Sequence, residues 1–142
     1  MKLRNIYYIF WVDIILRYLK RNPERTDLKS RVLLVYSTIQ AINLITILWW
    51  LKYFNVIKLT MLELYIFPIE SLNNATSFFI QFVFPFFVLN YFLIFHNNRY
   101  KVLIEKYPVY RKKYVIIYSV SVLWISFSSA IIIGILKGNI FK

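Results

Sequence analysis

Three long stretches without a charged residue constrain the fold of this chain more than any other feature. They cover residues 32–51, 71–95 and 114–136. Twenty residues of α-helix rise about 30 Å, which matches the thickness of the hydrocarbon layer of a bilayer. A sheet is disfavoured, because open strand edges cannot satisfy their backbone groups in lipid and a chain this short would have to supply many alternating strands. These stretches are continuous rather than alternating. The chain is therefore expected to cross a membrane as helices.

The sequence predicts an all-α integral membrane protein that forms a single membrane domain over residues 1–142. It predicts three transmembrane helices plus an N-terminal amphipathic helix in the membrane interface. In chain order the predicted segments are an interfacial helix (5–21), a first span (32–52), an outer loop (53–73), a second span (74–96), a basic cytoplasmic loop (97–113) and a third span (114–136).

The interfacial helix is predicted from an apolar segment that is too short to cross the bilayer. Residues 5–16 are apolar, but Asp13 interrupts them, and Arg17, Lys20 and Arg21 follow on nearly the same helical face. This pattern favours a helix that lies in the interface. A secretory signal peptide is the competing interpretation. It is disfavoured because the acid breaks the apolar run and no small-residue cleavage site follows.

The distribution of basic residues predicts the orientation of the chain. Residues 1–31 hold eight Lys and Arg and residues 97–113 hold six, whereas residues 52–74 and the tail after Leu136 hold two each. Three spans place the first two of these segments on the same side of the membrane. The positive-inside rule then predicts a multi-pass protein of the cell (inner) membrane with a cytoplasmic N-terminus and an outside C-terminus.

Small residues recur along one side of the third span. Ser126, Ala130 and Gly134 are four residues apart, and Ser119 lies seven residues earlier on a similar face. Small side chains at this spacing allow two helix backbones to approach closely. They predict either a homo-oligomer interface or the lining of a narrow pore. Packing against the other spans of the same chain is the alternative, and both stay open.

Four amide side chains lie inside the first two spans. They are Gln40 and Asn43 in the first span and Gln81 and Asn90 in the second. An unbonded amide in hydrocarbon costs a few kcal/mol, so these groups are expected to face protein or water. They predict a polar interior or pore, or alternatively hydrogen bonds that hold the helices together. Pro85 lies between two of them and predicts a kink in the second span.

The basic residues of the cytoplasmic side predict a surface that binds an anionic partner. A bilayer with anionic headgroups is one candidate partner, since each Lys or Arg near such a surface contributes about 1 kcal/mol. A nucleotide or a nucleic acid is the other. The predicted binding residues are Arg17, Lys20, Arg21, Arg25, Lys29, Arg31, Arg99, Lys101, Arg111, Lys112 and Lys113.

Catalysis and metal binding find little support in the sequence. Cysteine is absent, which excludes disulfides, thiolate metal sites and cysteine nucleophiles. His96 is the only histidine, and no acid stands beside it. Glu63 and Glu70 are more simply explained as solvated residues of the outer loop. We therefore predict no enzyme activity, no metal site and no cofactor.

In its architecture the chain resembles the small membrane effectors of bacterial antiphage systems, which combine short spans, a basic cytosolic side and no enzyme motif. The resemblance carries over no individual residue. It implies a role in antiphage defence, in which subunits oligomerise and perturb the membrane when a cytosolic signal arrives. The resulting hypothesis is a small homo-oligomeric, channel-like or membrane-perturbing protein that binds an anionic ligand. The alternative is a non-catalytic accessory or scaffold subunit of a larger membrane complex, with other membrane proteins as partners.

Overall fold

A computed structural model describes residues 3–21, 27–107, 114–136 and 138, and within these residues it contains helices and no strand. The prediction of an all-α chain is confirmed. The α-helices are α1 (Leu3–Arg21), α2 (Leu28–Tyr53), α3 (Glu70–Phe78), α4 (Phe84–Asn90), α5 (Arg99–Lys106) and α6 (Tyr114–Leu136).

Three helical stretches are long and apolar enough to cross a membrane, as the sequence predicts. The first is α2, whose 26 residues rise about 39 Å. The third is α6, whose 23 residues rise about 35 Å and whose bounds are those predicted. The second span is composite, because residues 70–95 contain α3 and α4 and a π-helical turn after each of them. It begins four residues earlier than predicted.

A π-helical turn lies just before Pro85, where the sequence predicts a kink. This turn, Phe79–Val83, directly precedes α4, and Pro85 occupies the first turn of α4. The N–H group of Phe84 bonds to the carbonyl of Phe79, five residues earlier. A proline ring inside a regular α-helix would clash with the carbonyl four residues before it. The wider turn accommodates the proline without ending the span.

Two consecutive asparagines end the second span. Asn97 and Asn98 both have positive φ angles, of 51° and 56°. Asparagine enters this left-handed region more readily than most residues, which suits it to a sharp change of chain direction. The predicted basic loop 97–113 consequently begins with a separate short helix, α5, which packs against α1 through the buried Leu103. We call the end of the helices that carries α5 and Arg17, Lys20 and Arg21 of α1 the basic end.

The predicted N-terminal helix is present as α1, and protein encloses its middle. Trp11 to Ile15 are five consecutive buried residues, and Trp11, Val12 and Ile15 have no exposed surface. Five consecutive residues point around the whole circumference of a helix. α1 therefore packs among α2, α5 and α6 rather than burying one apolar face. A second cluster of buried side chains, from Ala41, Ile45, Phe82 and Val83, joins α2 to the second span farther from the basic end.

A non-helical segment, residues 57–69, connects α2 to α3 and lies against the beginning of the second span. Three polar side chains at four-residue intervals, those of Asn73, Ser77 and Gln81, bind its backbone. Four helical residues rise about 6 Å, and two residues of extended chain advance about 6.6 Å. Because these advances nearly match, each successive helical turn meets alternate residues of the segment. We call residues 60–67 the bound segment.

The hydrogen bonds follow this register in antiparallel order. Gln81 Oε1 accepts from the N–H of Leu62 at 2.8 Å, and its Nε2 donates to the carbonyl of Thr60 at 3.1 Å. Ser77 Oγ accepts from the N–H of Leu64 at 3.2 Å. Asn73 Oδ1 accepts from two N–H groups, those of Ile66 at 3.0 Å and Phe67 at 2.8 Å, and its Nδ2 donates to the carbonyl of Phe67 at 2.9 Å.

Replacing Asn73 by alanine is expected to release the bound segment. The change removes three hydrogen bonds, so we expect the free energy of unfolding in detergent micelles to fall by about 1–3 kcal/mol. Hydrogen exchange at the amides of Ile66 and Phe67 should accelerate. Asn74→Ala is the matched control, because Asn74 is exposed, and it should change stability by less than about 0.5 kcal/mol. Equal exchange rates in the two variants would contradict this account.

Candidate functional site

A fully buried amide, that of Asn90, joins three helices at the level where α1 meets the first two spans. Its Nδ2 donates to Gln40 Oε1 at 2.7 Å and to Ser37 Oγ at 3.1 Å, and its Oδ1 accepts from the Tyr7 hydroxyl at 2.5 Å. Asn90 and Ser37 both have no exposed surface. We call these four residues the polar cluster. Its hydrogen bonds compensate for removing an amide from water.

The polar cluster brings together only two of the four amides predicted to form a polar interior. Gln40 and Asn90 bind each other, whereas Gln81 binds the segment between the spans. Asn43 is half-buried and makes no hydrogen bond with the residues that the structure describes. Within one subunit these amides therefore do not line a common path, and three of them hold elements of the chain together.

The small residues of α6 divide between an inner and an outer side. Ser126 and Thr46 share a hydrogen bond of 2.6 Å between their hydroxyl groups, which joins α6 to α2. Ser119 bonds to a carbonyl of its own helix at 2.9 Å. Gly134 is half-buried, and Ala130 is exposed on the outer side. The inner part of the stripe thus packs within the chain, while the outer part is available for a contact between chains.

The outer side of α6 is the least covered part of the spans. Within its apolar stretch 11% of the residues are buried, against 33% for α2. Leu123, Trp124 and Phe127 are among its exposed side chains, with Trp124 at 67% and Phe127 at 66%. Lipid or another protein chain is expected to cover such a surface in a membrane.

A cleft of about 930 Å³ opens at the basic end between α1, α2 and α6. Four basic side chains line it, Arg17, Lys20 and Arg21 from α1 and Arg31 from α2. The rest of the lining is aromatic or aliphatic, from Ile14, Tyr18, Val32, Leu34, Val35, Tyr36, Val115 and Ile116. Its volume lies within the range of ligand pockets. We call this cleft the basic groove.

The basic side chains lie at the outer part of the groove, and the side chains of its buried part are apolar. Lys20, Arg21 and Arg31 are exposed. Val32 and Val115, by contrast, are buried to 3% and 1% exposure. The groove therefore presents positive charge at its opening and hydrocarbon behind it.

Two acids neutralise part of this charge. The Nε of Arg17 bonds to Oδ2 of Asp13 at 3.4 Å, and Arg31 pairs with Asp27. Burial raises the pKa of the Asp13 carboxyl above its ordinary value, and the Arg17 guanidinium offsets part of this rise. The Nη2 of Arg17 is buried and has no hydrogen-bond partner among the described residues. Burying this N–H donor without a partner costs free energy, and an anion that accepts its hydrogen bond would offset that cost.

The other predicted basic residues lie apart from the groove or outside the described residues. Lys29 donates to Oδ1 of Asn98 at 2.9 Å, and the Arg99 guanidinium lies 5.8 Å from the ring centre of Tyr8. Lys101 is exposed on α5. The predicted basic surface is thus divided between the groove and α5. Four of its predicted members lie outside the described residues: Arg25, Arg111, Lys112 and Lys113.

The candidate acid and base residues are dispersed. His96 is exposed beside the rings of Tyr91 and Phe92, and Glu63 accepts a hydrogen bond from the Tyr65 hydroxyl at 3.0 Å. Glu70 lies in the first turn of α3. Among the described residues no three His, Asp or Glu side chains are close enough to share a metal ion.

Sequence reasoning missed several residues of the polar cluster and of the contact with the bound segment. Ser37 lies three residues before Gln40, so helical spacing could have placed both on one face. Tyr7 offered no comparable signal, because its bond to Asn90 joins residues 83 positions apart. Asn73 and Ser77 precede Gln81 at helical spacing, and this stripe of polar residues could have been recognised. Its partner is a backbone segment, whose position no side-chain pattern reveals.

Replacing Asn90 by alanine tests whether the polar cluster stabilises the bundle. Three hydrogen bonds are lost, each worth about 0.6–2 kcal/mol between membrane helices. We expect the free energy of unfolding in detergent micelles to fall by about 2–4 kcal/mol, because the partners are left buried. Asn43→Ala is the control and should cost less than about 0.5 kcal/mol. A larger loss for Asn43 than for Asn90 would refute the role given to the cluster.

The chain was compared with known protein families, with curated proteins and with solved structures, and none of them matches it. Its function is therefore argued from the chemistry of its own residues. The basic groove and the outer side of α6 are the two features that bear on it most directly.

Proposed function

We propose that this chain is a non-catalytic protein of the cell membrane that binds an anionic ligand in the basic groove and assembles into homo-oligomers through α6. The observation that carries the proposal is the lining of the groove, where four basic side chains surround an apolar interior. The proposal includes the predicted orientation, with the basic end in the cytoplasm and the C-terminus outside. This orientation follows from the distribution of Lys and Arg along the chain.

The groove is suited to couple ligand binding to the position of α6. Its walls come from α1, α2 and α6, so an occupant contacts all three helices. The hydroxyl pair of Thr46 and Ser126, and the bond from Trp50 Nε1 to Ser129 Oγ at 2.9 Å, hold α6 to α2 farther along the helix. A ligand at the start of α6 therefore contacts the end of this helix where Val115 packs in the core beside α1. A ligand shifts the equilibrium between two arrangements of the helices when it binds one arrangement more tightly than the other.

The oligomeric part of the proposal rests on the exposed side of α6. Ala130 lies there among large apolar side chains, and a small residue at such a position allows a second helix to approach. The polar cluster is hydrogen-bonded within one subunit. Any water path would therefore have to form between subunits, and perturbation of the membrane requires assembly.

An accessory subunit of a larger membrane complex is the second candidate function. The exposed Trp124 and Phe127 favour it, because aromatic side chains are enriched at protein–protein interfaces. In that case the side of α6 would contact a different protein rather than a second copy of this chain. The two candidates predict different products of cross-linking in native membranes.

Single-cysteine variants of α6 distinguish self-assembly from partnership, because the natural chain contains no cysteine. In native membranes, Ala130→Cys should form a disulfide-linked dimer under oxidation. Val122→Cys is the control and should not, because Val122 is 5% exposed and faces the interior of the chain. Cross-links from Ala130→Cys to unrelated membrane proteins, with no dimer, would favour the accessory subunit. Absence of every cross-link would overturn the assembly interface.

A further inference from the structure

The basic groove offers an aliphatic surface that an inorganic anion does not use. A free phosphate or nucleotide needs hydrogen-bond donors and positive charge, both of which the outer part supplies. The aliphatic side chains behind the charges are better matched to a hydrocarbon chain. Leu34, Val35 and Ile116 are each about half exposed, at 45%, 51% and 56%. They belong to the membrane-spanning helices α2 and α6, so this surface is continuous with the region that lipid chains occupy.

We propose that the basic groove binds one anionic phospholipid, which enters from the surrounding bilayer. This inference rests on the proposed function, which it narrows from an anionic ligand to a lipid. The phosphate lies among Arg17, Lys20, Arg21 and Arg31, and an acyl chain lies along the aliphatic lining. Charge complementarity selects the anionic headgroup, and the apolar lining selects a ligand that carries a chain.

Arg17 supplies the most specific contact. Its Nε is directed at Asp13, which fixes the plane of the guanidinium, while its buried Nη2 has no partner among the described residues. A phosphate in the groove accepts from the Arg17 guanidinium once Nη2 turns from its buried position toward the lining of the groove. Guanidinium groups bind phosphate in the plane of the group, with short charge-assisted hydrogen bonds. Lysine and arginine side chains at the opening add charge that surrounds the headgroup.

The position of the groove gives the lipid a regulatory role. The acyl chain lies between α2 and the first turns of α6, where Val35 and Ile116 line the cleft. The headgroup contacts α1, whose middle is packed among the other helices. An occupied groove therefore adds contacts between the lipid and α1, α2 and α6 to those that Val115 already makes in the core. Anionic lipid content would then control how the outer side of α6 is presented to a second subunit.

The test compares lipid retention by the full-length chain purified in detergent and analysed by native mass spectrometry. The probes are phosphatidylglycerol, phosphatidylcholine with the same acyl chains, and a soluble nucleoside triphosphate. We expect one phosphatidylglycerol per chain to be retained in preference to phosphatidylcholine. Arg17→Gln should weaken its binding about fivefold, the effect of one cation near an anionic headgroup. Lys101→Gln is the matched control, because Lys101 is an exposed cation outside the groove. This variant should bind phosphatidylglycerol with unchanged affinity.

Arg21→Gln provides a second variant in case the loss of Arg17 impairs folding, because Arg21 is exposed and its replacement removes a charge from the opening of the groove alone. Equal retention of the two lipids would overturn the inference, and so would equal loss in the groove variants and the control. Binding of the nucleotide that depends on Arg21, without any preference between lipids, would overturn the inference and leave the proposed function intact. If neither lipid nor nucleotide binds in a way that depends on these cations, both fall.

Discussion

Burying a polar group costs free energy unless the group finds a partner, and this constraint accounts for several of the contacts that shape the chain. Its clearest expression is the buried amide of Asn90, which three side chains from two other helices satisfy. The same requirement explains the bound segment, whose backbone N–H groups meet a ladder of side chains at helical spacing. A buried polar group left without a partner would cost about 1–3 kcal/mol. In a membrane, where burial of apolar surface between helices supplies little driving force, such bonds would help to hold the helices together.

Buried polar groups without a partner, and apolar surface without a cover, mark the parts of the chain that we expect to bind other molecules. Asn90, Ser37 and Asn73 are buried and hydrogen-bonded within the chain. Trp11 Nε1, Asp13 Oδ1 and Arg17 Nη2 are buried with no partner among the described residues, and of these three residues Arg17 lines the basic groove. The outer side of α6 differs in another way, since most of its surface is apolar and uncovered. The groove touches the beginning of the same helix, which links a site for an anion to a surface for assembly.

The spans could be predicted from the sequence because they depend on length and on missing charge, properties that do not need a partner. For this reason the bounds of α6 agree with the prediction. The turn at Asn97 and Asn98, the π-helical turns and the enclosure of α1 depend on contacts between distant parts of the chain. For the sites, residue type indicated that Gln40 and Asn90 would bond inside the protein, but not that Tyr7 would join them. The groove draws on four of the predicted basic residues, and only the packing of α1 against α2 and α6 brings these four together with an apolar lining.

In the proposed topology three helices cross the membrane and both basic segments lie on its cytoplasmic side. Single cysteines at three exposed positions can be labelled in sealed membrane vesicles with a thiol reagent that does not cross lipid. We expect Arg21→Cys and Lys101→Cys to react from the cytoplasmic side and Lys58→Cys to react from the opposite side. Labelling of Arg21→Cys and Lys101→Cys from different sides would contradict the crossing of the second span or the first, and the groove could then not face anionic lipid as described.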